Sequence, residues 1–446
     1  MALCQGLGYA QTLNFSHLSL PKEPSCLMNA RIFSLPPIVR LTSASFLLRR
    51  FQMRSLFKSS LLLLSAMPLS IAFAASVGTV PAQSGIELPR TMAWSAYPTG
   101  TGGYSQAVAL GNILQRTYGV NLRVIPGRND VSRLATLRAG RVHFSAGGSE
   151  SVYAQEGILN FASKIWGPQP VRALLSNYSN SCSFTFATAA DANILSVADM
   201  KGKRMTFVQG APSLNNATAA LLSYAELTWD DVERVEVGGY NASIEAILNN
   251  RADAAGGACN SPPFLRVEAS PRGLRFPALP HDDADAVARV RARLPWYVPH
   301  IAFEGPTLPE EGLEVFTSAY PLLVGLESSD EAMAYSTVKI MHKHYIEYSD
   351  AAPGAMGWTF ERQKLEQAFL PFHDGAIRYF KEAGVWTAAA EAKQMENLHR
   401  QKVLKKAWDA FLPTAPEEYK AFEAAWLVAR LAALEAEGLI TLADSL

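Results

Sequence analysis

Glycine, threonine, serine, asparagine and tyrosine cluster at several points in this 446-residue chain, each time just after a short apolar run. The first cluster is Thr99-Gly100-Thr101-Gly102-Gly103-Tyr104, between the apolar run Thr91–Tyr97 and a stretch of helical spacing. Small residues let the backbone approach a bound group, and the helix start that follows offers unpaired N–H groups and a positive dipole end, which together suit an anion. The same chemistry recurs at Gly148-Ser149, at Gly210-Ala211-Pro212-Ser213 with Asn215 and Asn216, at Tyr240 after Gly238-Gly239, and at Cys259. These residues are the candidate ligand contacts. A Gly103→Asp change is expected to abolish binding by placing a charge where the ligand's anionic group approaches.

Other uses of the first turn compete with this one. A phosphate loop needs Gly-Lys-Ser/Thr, and Gly103 is followed by Tyr104-Ser105. A dinucleotide fingerprint needs a third Gly or Ala and an acidic residue about twenty positions on, where Ser105 and Arg123 stand. A strand-to-helix turn that holds nothing remains open. Arg128, Arg133 and Arg204 are cations able to pair a ligand carboxylate, or else part of a solvated face. Tyr97, Tyr104, Tyr153, Tyr178 and Tyr240 are the aromatics near the turns, with core packing as the alternative.

Reactive constellations are missing from the sequence. Neither Gly-x-Ser-x-Gly nor His-Glu-x-x-His occurs. His342 and His344, two apart on a helix, point to different faces and cannot readily share a metal. His373 reads as a helix-start residue near a lobe surface, and Ser149 as a helix N-cap more simply than as a nucleophile. No catalytic residue, metal or cofactor is expected.

The elements that must position the clusters alternate. The spacing predicts strands at Thr91–Tyr97, Asn121–Ile125 and Val142–Ala146, with helices between them, hence a parallel sheet covered by helices. Strands at Val171–Leu175 and Phe184–Ala187 flank a polar crossing, Ser176–Ser183. From Lys203 the alternation restarts with strands at Met205–Val208, Val232–Val237 and Ala252–Ala255. Two α/β lobes facing one another across their turns make a cleft that closes on a small molecule. Val315–Leu326 reads as one strand returning to the first sheet, Asp330–Tyr348 as a helix. The rest is helical: Glu361–Phe369, Asp374–Ala383, Thr387–Phe411 and Pro416–Glu437.

Charge balances, with 40 Lys and Arg against 40 Asp and Glu, and no polybasic patch occurs, which argues against a nucleic-acid partner. Arg54 and Lys58 precede an apolar stretch, Leu61–Phe73, that ends in Ala72-Phe73-Ala74; this reads as a secretory signal peptide starting at Met53. The expected organisation is an untranslated or disordered extension at 1–52 and a signal peptide at 53–74. A first lobe follows at 75–180, a second at 181–300, a return at 301–330 and bracing helices at 331–446. The mature chain keeps Cys182 and Cys259, which could pair in an oxidising compartment or stay as two buried thiols.

Three blocks in register carry a resemblance: Pro98–Tyr104, Val197–Gly210 and Pro371–Gly384. Together they resemble the TAXI family of TRAP-transporter solute-binding proteins, from about Thr91 to about Trp386. The resemblance implies an α/β, periplasmic binding protein-like (type II) fold with two lobes, a hinge and a helical C-terminal part. It also implies a periplasmic receptor delivering a small carboxylate to TRAP membrane permease subunits, and a monomer is expected. Relatives in that family take glutamate, glutamine or dicarboxylates such as 2-oxoglutarate. The chain departs from the family pattern at Gly147-Gly148-Ser149, at Ser213-Leu214-Asn215 and at His143, where ligand identity is decided. An exported enzyme on the same fold and a ligand-sensing accessory of a histidine kinase are the other readings.

Overall fold

The turn at Gly100–Gly103 joins β1 (Thr91–Ala96) to α1 (Gly102–Tyr118). Thr101 caps that helix, its hydroxyl accepting from the Tyr104 amide, and Gly119 ends it in a left-handed conformation. The computed structural model describes residues 85–446, which fall within one compact unit. The signal segment expected at 53–74, the extension 1–52 and the first part of the lead-in lie outside the described residues. The end of that lead-in is packed, with Ile86 and Leu88 buried in the first core.

After α1 come β2 (Asn121–Pro126), α2 (Asp130–Arg138), β3 (Phe144–Gly147), α3 (Glu150–Glu156) and β4 (Val171–Ser176). The chain then crosses to β5 (Thr185–Ala189), β6 (Arg204–Val208), α4 (Pro212–Tyr224), β7 (Glu233–Val237), α5 (Tyr240–Leu248) and β8 (Ala254–Gly257). Next are α6 (Phe264–Glu268), β9 (Leu274–Arg275), α7 (Ala284–Arg293), β10 (Val298–Ala302), β11 (Leu313–Thr317) and β12 (Leu322–Leu326). The C-terminal part holds α8 (Glu331–Lys343), α9 (Tyr345–Tyr348), α10 (Asp374–Glu382), α11 (Ala388–Phe411) and α12 (Tyr419–Ala436).

Two five-stranded sheets result, β2-β1-β3-β12-β4 and β7-β6-β8-β5-β9. Each has a parallel half, and each receives one antiparallel strand from the chain as it crosses between lobes: β12 in the first, β5 in the second. The wholly parallel sheet expected from the alternation is therefore corrected to a mixed one, because strands that cross between lobes enter from the opposite direction. Each sheet has its own hydrophobic core.

Val315–Leu326 is two strands, not one. β11 pairs with β10 in a separate ribbon, and β12 pairs with β3 and β4 in the first sheet. The break falls at Ser318–Pro321, where the Tyr320–Pro321 peptide is cis and Pro321 brings no N–H to a ladder. This stretch runs beside the other crossing segment: the Asn177 amide donates to the Pro321 carbonyl at 2.9 Å and the Tyr320 amide to the Asn177 carbonyl at 2.8 Å. The two crossings form the hinge.

Glu361–Phe369 is not a helix but two short 3-10 turns, and the helix expected over Asp330–Tyr348 breaks at His344. The last two helices are tied to the first lobe by charge. Glu156, fully buried at the end of α3, accepts from Arg400 of α11 and from Arg430 of α12, the latter at 2.7 Å.

Candidate functional site

The cleft between the lobes is closed over a cavity of about 80 Å³, room for about three waters. Its walls come from the carboxyl ends of strands and the starts of helices in both lobes. Thr101, Gly148, Ser149, Ala211, Ser213 and Tyr240, singled out in the sequence, line it, together with Tyr97 and Arg128.

A row of hydrogen bonds closes the cleft. From the first lobe, Asn129 Nδ2 donates to the Gln209 carbonyl at 3.0 Å and the Val131 amide to the Gly210 carbonyl at 3.2 Å. Gly210 has φ +70° and an added Cβ would lie 2.6 Å from Asn129 Nδ2, so both conformation and proximity call for glycine. Asp130 Oδ2 accepts from the Ser213 amide at 2.8 Å and from the Ser213 hydroxyl. Asn216 donates to the Tyr153 hydroxyl at 2.8 Å.

Asp130 thus stands where the sequence reading placed a ligand anion, at the first-turn amides of α4. The position is physically apt, since a helix N-terminus favours a carboxylate. Asn129-Asp130 reads in the sequence only as a helix start; nothing local says that the carboxylate reaches the other lobe.

Asp130 belongs to a buried cluster. Arg133 donates to Asp130 Oδ1 at 2.7 Å and to Glu150 Oε1 at 2.8 Å, and its guanidinium lies 4.0 Å from the centre of the Tyr97 ring. Burial pulls the Arg133 pKa down, but Glu150, Tyr97 and Asp130 hold it above the ordinary value. Burial raises the Glu150 carboxyl against the pull of Arg133. Two carboxylates around one guanidinium leave the cluster one negative charge in excess when all are ionised.

The phenols of Tyr97, Tyr240, Tyr297 and Tyr320 border the same cavity. Tyr97 and Tyr320 meet edge to face at 5.3 Å, and the Tyr240 hydroxyl is 2.7 Å from Ser261 Oγ. Burial raises all four pKa values, that of Tyr297 to about 12, so they act as neutral hydroxyls. Tyr297 lies in a stretch with no strand-turn-helix pattern, and Tyr320 lies within Val315–Leu326, which reads as a single strand, so neither stands out in the sequence.

Other sequence-selected residues fall elsewhere. Thr99 and Gly100 are exposed at the turn, and Gly102 faces the Pro353 carbonyl. A Cβ on Gly103 would lie 2.6 Å from the Tyr97 ring, so this glycine serves packing within the first lobe. Tyr104 packs against the first core. Pro212 is the first residue of α4, Asn215 bonds both backbone groups of Val208, and Asn216 accepts from Arg293 at 2.7 Å. Cys259 is bonded to Cys182, with Cα atoms 5.3 Å apart, which decides the open question of the two cysteines.

Of the candidate cations, Arg133 is committed to its two carboxylates and Arg204 to Asp253 and Asn250. Arg128 is the exposed one at the cleft. Ser149 holds the N-cap position of α3 but its side chain makes no capping bond; the Glu150 carboxylate takes the Gly148 amide instead, at 2.7 Å. His373 does cap α10, though buried rather than near a surface. His342 stacks on Phe360 and His344 faces Tyr118. Among the described residues no group of three His, Cys, Asp or Glu could hold a metal, and no helix is long and apolar enough to cross a membrane.

Two lobes with the same strand order, joined by paired crossings and closed over a cavity, define the fold of a type II periplasmic solute-binding protein. The chain belongs to the NMT1-like family, which it matches over residues 96–384. Among curated proteins none matches. Similar solved structures include an ABC transporter/periplasmic binding protein from Brucella ovis with glutathione bound, at 11% identity and TM-score 0.37, covering 57% of this chain and 68% of that one. The alkanesulfonate-binding protein from Xanthomonas axonopodis pv. citri bound to MOPS is similar at 14% identity and TM-score 0.37, covering 68% and 93%. An ancestral arginine-binding protein bound to arginine has 11% identity and TM-score 0.36, covering 59% and 96%.

Proposed function

We propose that this chain is an extracytoplasmic solute receptor of a TRAP-type transporter of the TAXI class, exported by the segment starting at Met53. On this reading it acts as a monomer and delivers its ligand to TRAP permease subunits without altering it. The observation that carries the proposal is the row of hydrogen bonds from Asn129–Val131 to Gln209–Ser213 that shuts the cleft over a small cavity. Closure of this kind encloses a solute and changes the outer surface that a permease meets.

Among small carboxylates, the site chemistry supports an α-amino acid such as glutamate or glutamine over 2-oxoglutarate. Asp130 and Glu150 outnumber Arg133, which suits an ammonium group, while Arg128 at the mouth suits a carboxylate. Glutamate offsets one of its two carboxylates with an ammonium group, whereas 2-oxoglutarate would bring both to an already negative wall uncompensated. Thr101, Ser149, Ser213 and Tyr240 then supply hydroxyls.

The test is mass spectrometry of small molecules retained by the purified protein, joined to melting curves with glutamate, glutamine and 2-oxoglutarate. A ligand that binds only the folded form raises the melting temperature. The amino acids should raise it and be recovered unchanged. A larger rise with 2-oxoglutarate would overturn the amino-acid choice, and no rise with any carboxylate would overturn the carboxylate reading.

A further inference from the structure

A second cavity, of about 330 Å³, lies beside the hinge and shares only Ser149 with the walls of the first. That volume is in the range of small-molecule sites. Its charge is opposite in character to that of the main cleft. Arg291, Lys364 and Lys393 line it, against one carboxylate, Glu366.

Two of the cations are set on aromatic surfaces. Lys364 Nζ lies 5.0 Å from the centre of the Tyr178 ring and Lys393 Nζ 5.6 Å from that of Phe369, with Trp296 edge to face on Phe369 at 5.3 Å. Lys393 also pairs with Glu396 at 2.8 Å, outside the cavity wall, whereas Arg291 and Lys364 have no carboxylate partner within 4.0 Å among the described residues. Burial and Glu366 raise the Tyr178 phenol to about 12, so it faces the cavity as a neutral hydroxyl. Exposed ammonium and guanidinium groups beside flat apolar walls bind an anion that has a flat apolar body.

We propose that this cavity is a second ligand site, for an organic anion with a planar apolar part. Its walls come from α3 and β4 in the first lobe, from the end of α7 and β10 in the second, and from the segment 364–370 and α11. An occupant would bridge all three, so it stabilises the closed arrangement and couples to the main cleft. Lys393 lies beyond the matched region 96–384, so the C-terminal helices add a charge that the matched region alone does not supply. The inference is independent of the ligand proposed for the main cleft.

Benzoate is the probe and benzamide its uncharged counterpart, added to the full chain. Benzoate should raise the melting temperature and benzamide should not. The double variant Arg291→Ala, Lys364→Ala removes two exposed side chains, so the protein still folds, and it should weaken benzoate binding by roughly tenfold. Tyr240→Phe, in the main cleft, should leave benzoate binding unchanged. The proposal is overturned if benzoate gives no shift, if benzamide matches it, or if Tyr240→Phe loses benzoate while the double variant keeps it.

Discussion

Asp130 is the residue on which the cleft turns. Its two oxygens serve different partners, one the Arg133 guanidinium and the other the first-turn amide and hydroxyl of Ser213. Asp130→Asn keeps the shape and removes the charge from both sets of bonds. It should cost about 2–4 kcal/mol in denaturant unfolding, as expected for charge-assisted hydrogen bonds in a buried setting. On the proposed reading it also weakens glutamate binding by roughly tenfold or more in calorimetric titration, by removing a partner of the ammonium group. Unchanged glutamate affinity would take Asp130 out of the ligand shell. Gly103 makes the contrasting case: Gly103→Ala sets a methyl against the Tyr97 ring and should destabilise by about 1–3 kcal/mol. The expectation that a charge at Gly103 would meet the ligand gives way to a packing role.

At the scale of elements, α3 is held at both ends by charge. Glu150 at its start answers Arg133, and Glu156 at its end answers Arg400 and Arg430. Arg430 is wholly buried, so Arg430→Met leaves Glu156 with one partner fewer in an apolar setting and should cost about 3–5 kcal/mol. Burial by itself would raise the Glu156 carboxyl, but Arg430 and Arg400 outweigh it and hold the pKa below the usual range. The folded-state pKa is therefore lower than the unfolded one, near 4.3. The stabilisation is present above that value and is lost as pH falls through the folded pKa. Unfolding followed from pH 6 to pH 3 should show this decline, and it should be smaller in Arg430→Met.

For the molecule as a whole, the proposed function requires lobes that open and close about the two crossings. The Cys182–Cys259 bond closes a loop across 77 positions and ties the first crossing to the turn after β8. Replacing both cysteines by serine should lower stability by about 4 kcal/mol on the chain-entropy account, read in denaturant unfolding. Lobe closure should tighten further when the main cleft is filled, seen as a smaller radius of gyration in solution scattering. An unchanged radius with bound ligand would mean that the closed arrangement already dominates without it.

Periodicity and turn chemistry determined a good deal of this protein without any tertiary information. The helix after Gly103, the strands from Thr91 and Met205, the restart of alternation at Lys203 and the helices 388–411 and 419–436 are local patterns, since each depends on neighbours two to four positions away. The turns at Thr101, Ser149, Ser213 and Tyr240 were legible for the same reason. What the tertiary structure decided is everything that depends on contact between distant segments. Asp130 and Ser213 are 83 positions apart, and β12 enters a sheet whose other strands ended near residue 176. Whether the amides of α4 meet a ligand or the protein's own carboxylate is a question of how two lobes come together, and no local spacing carries that distance.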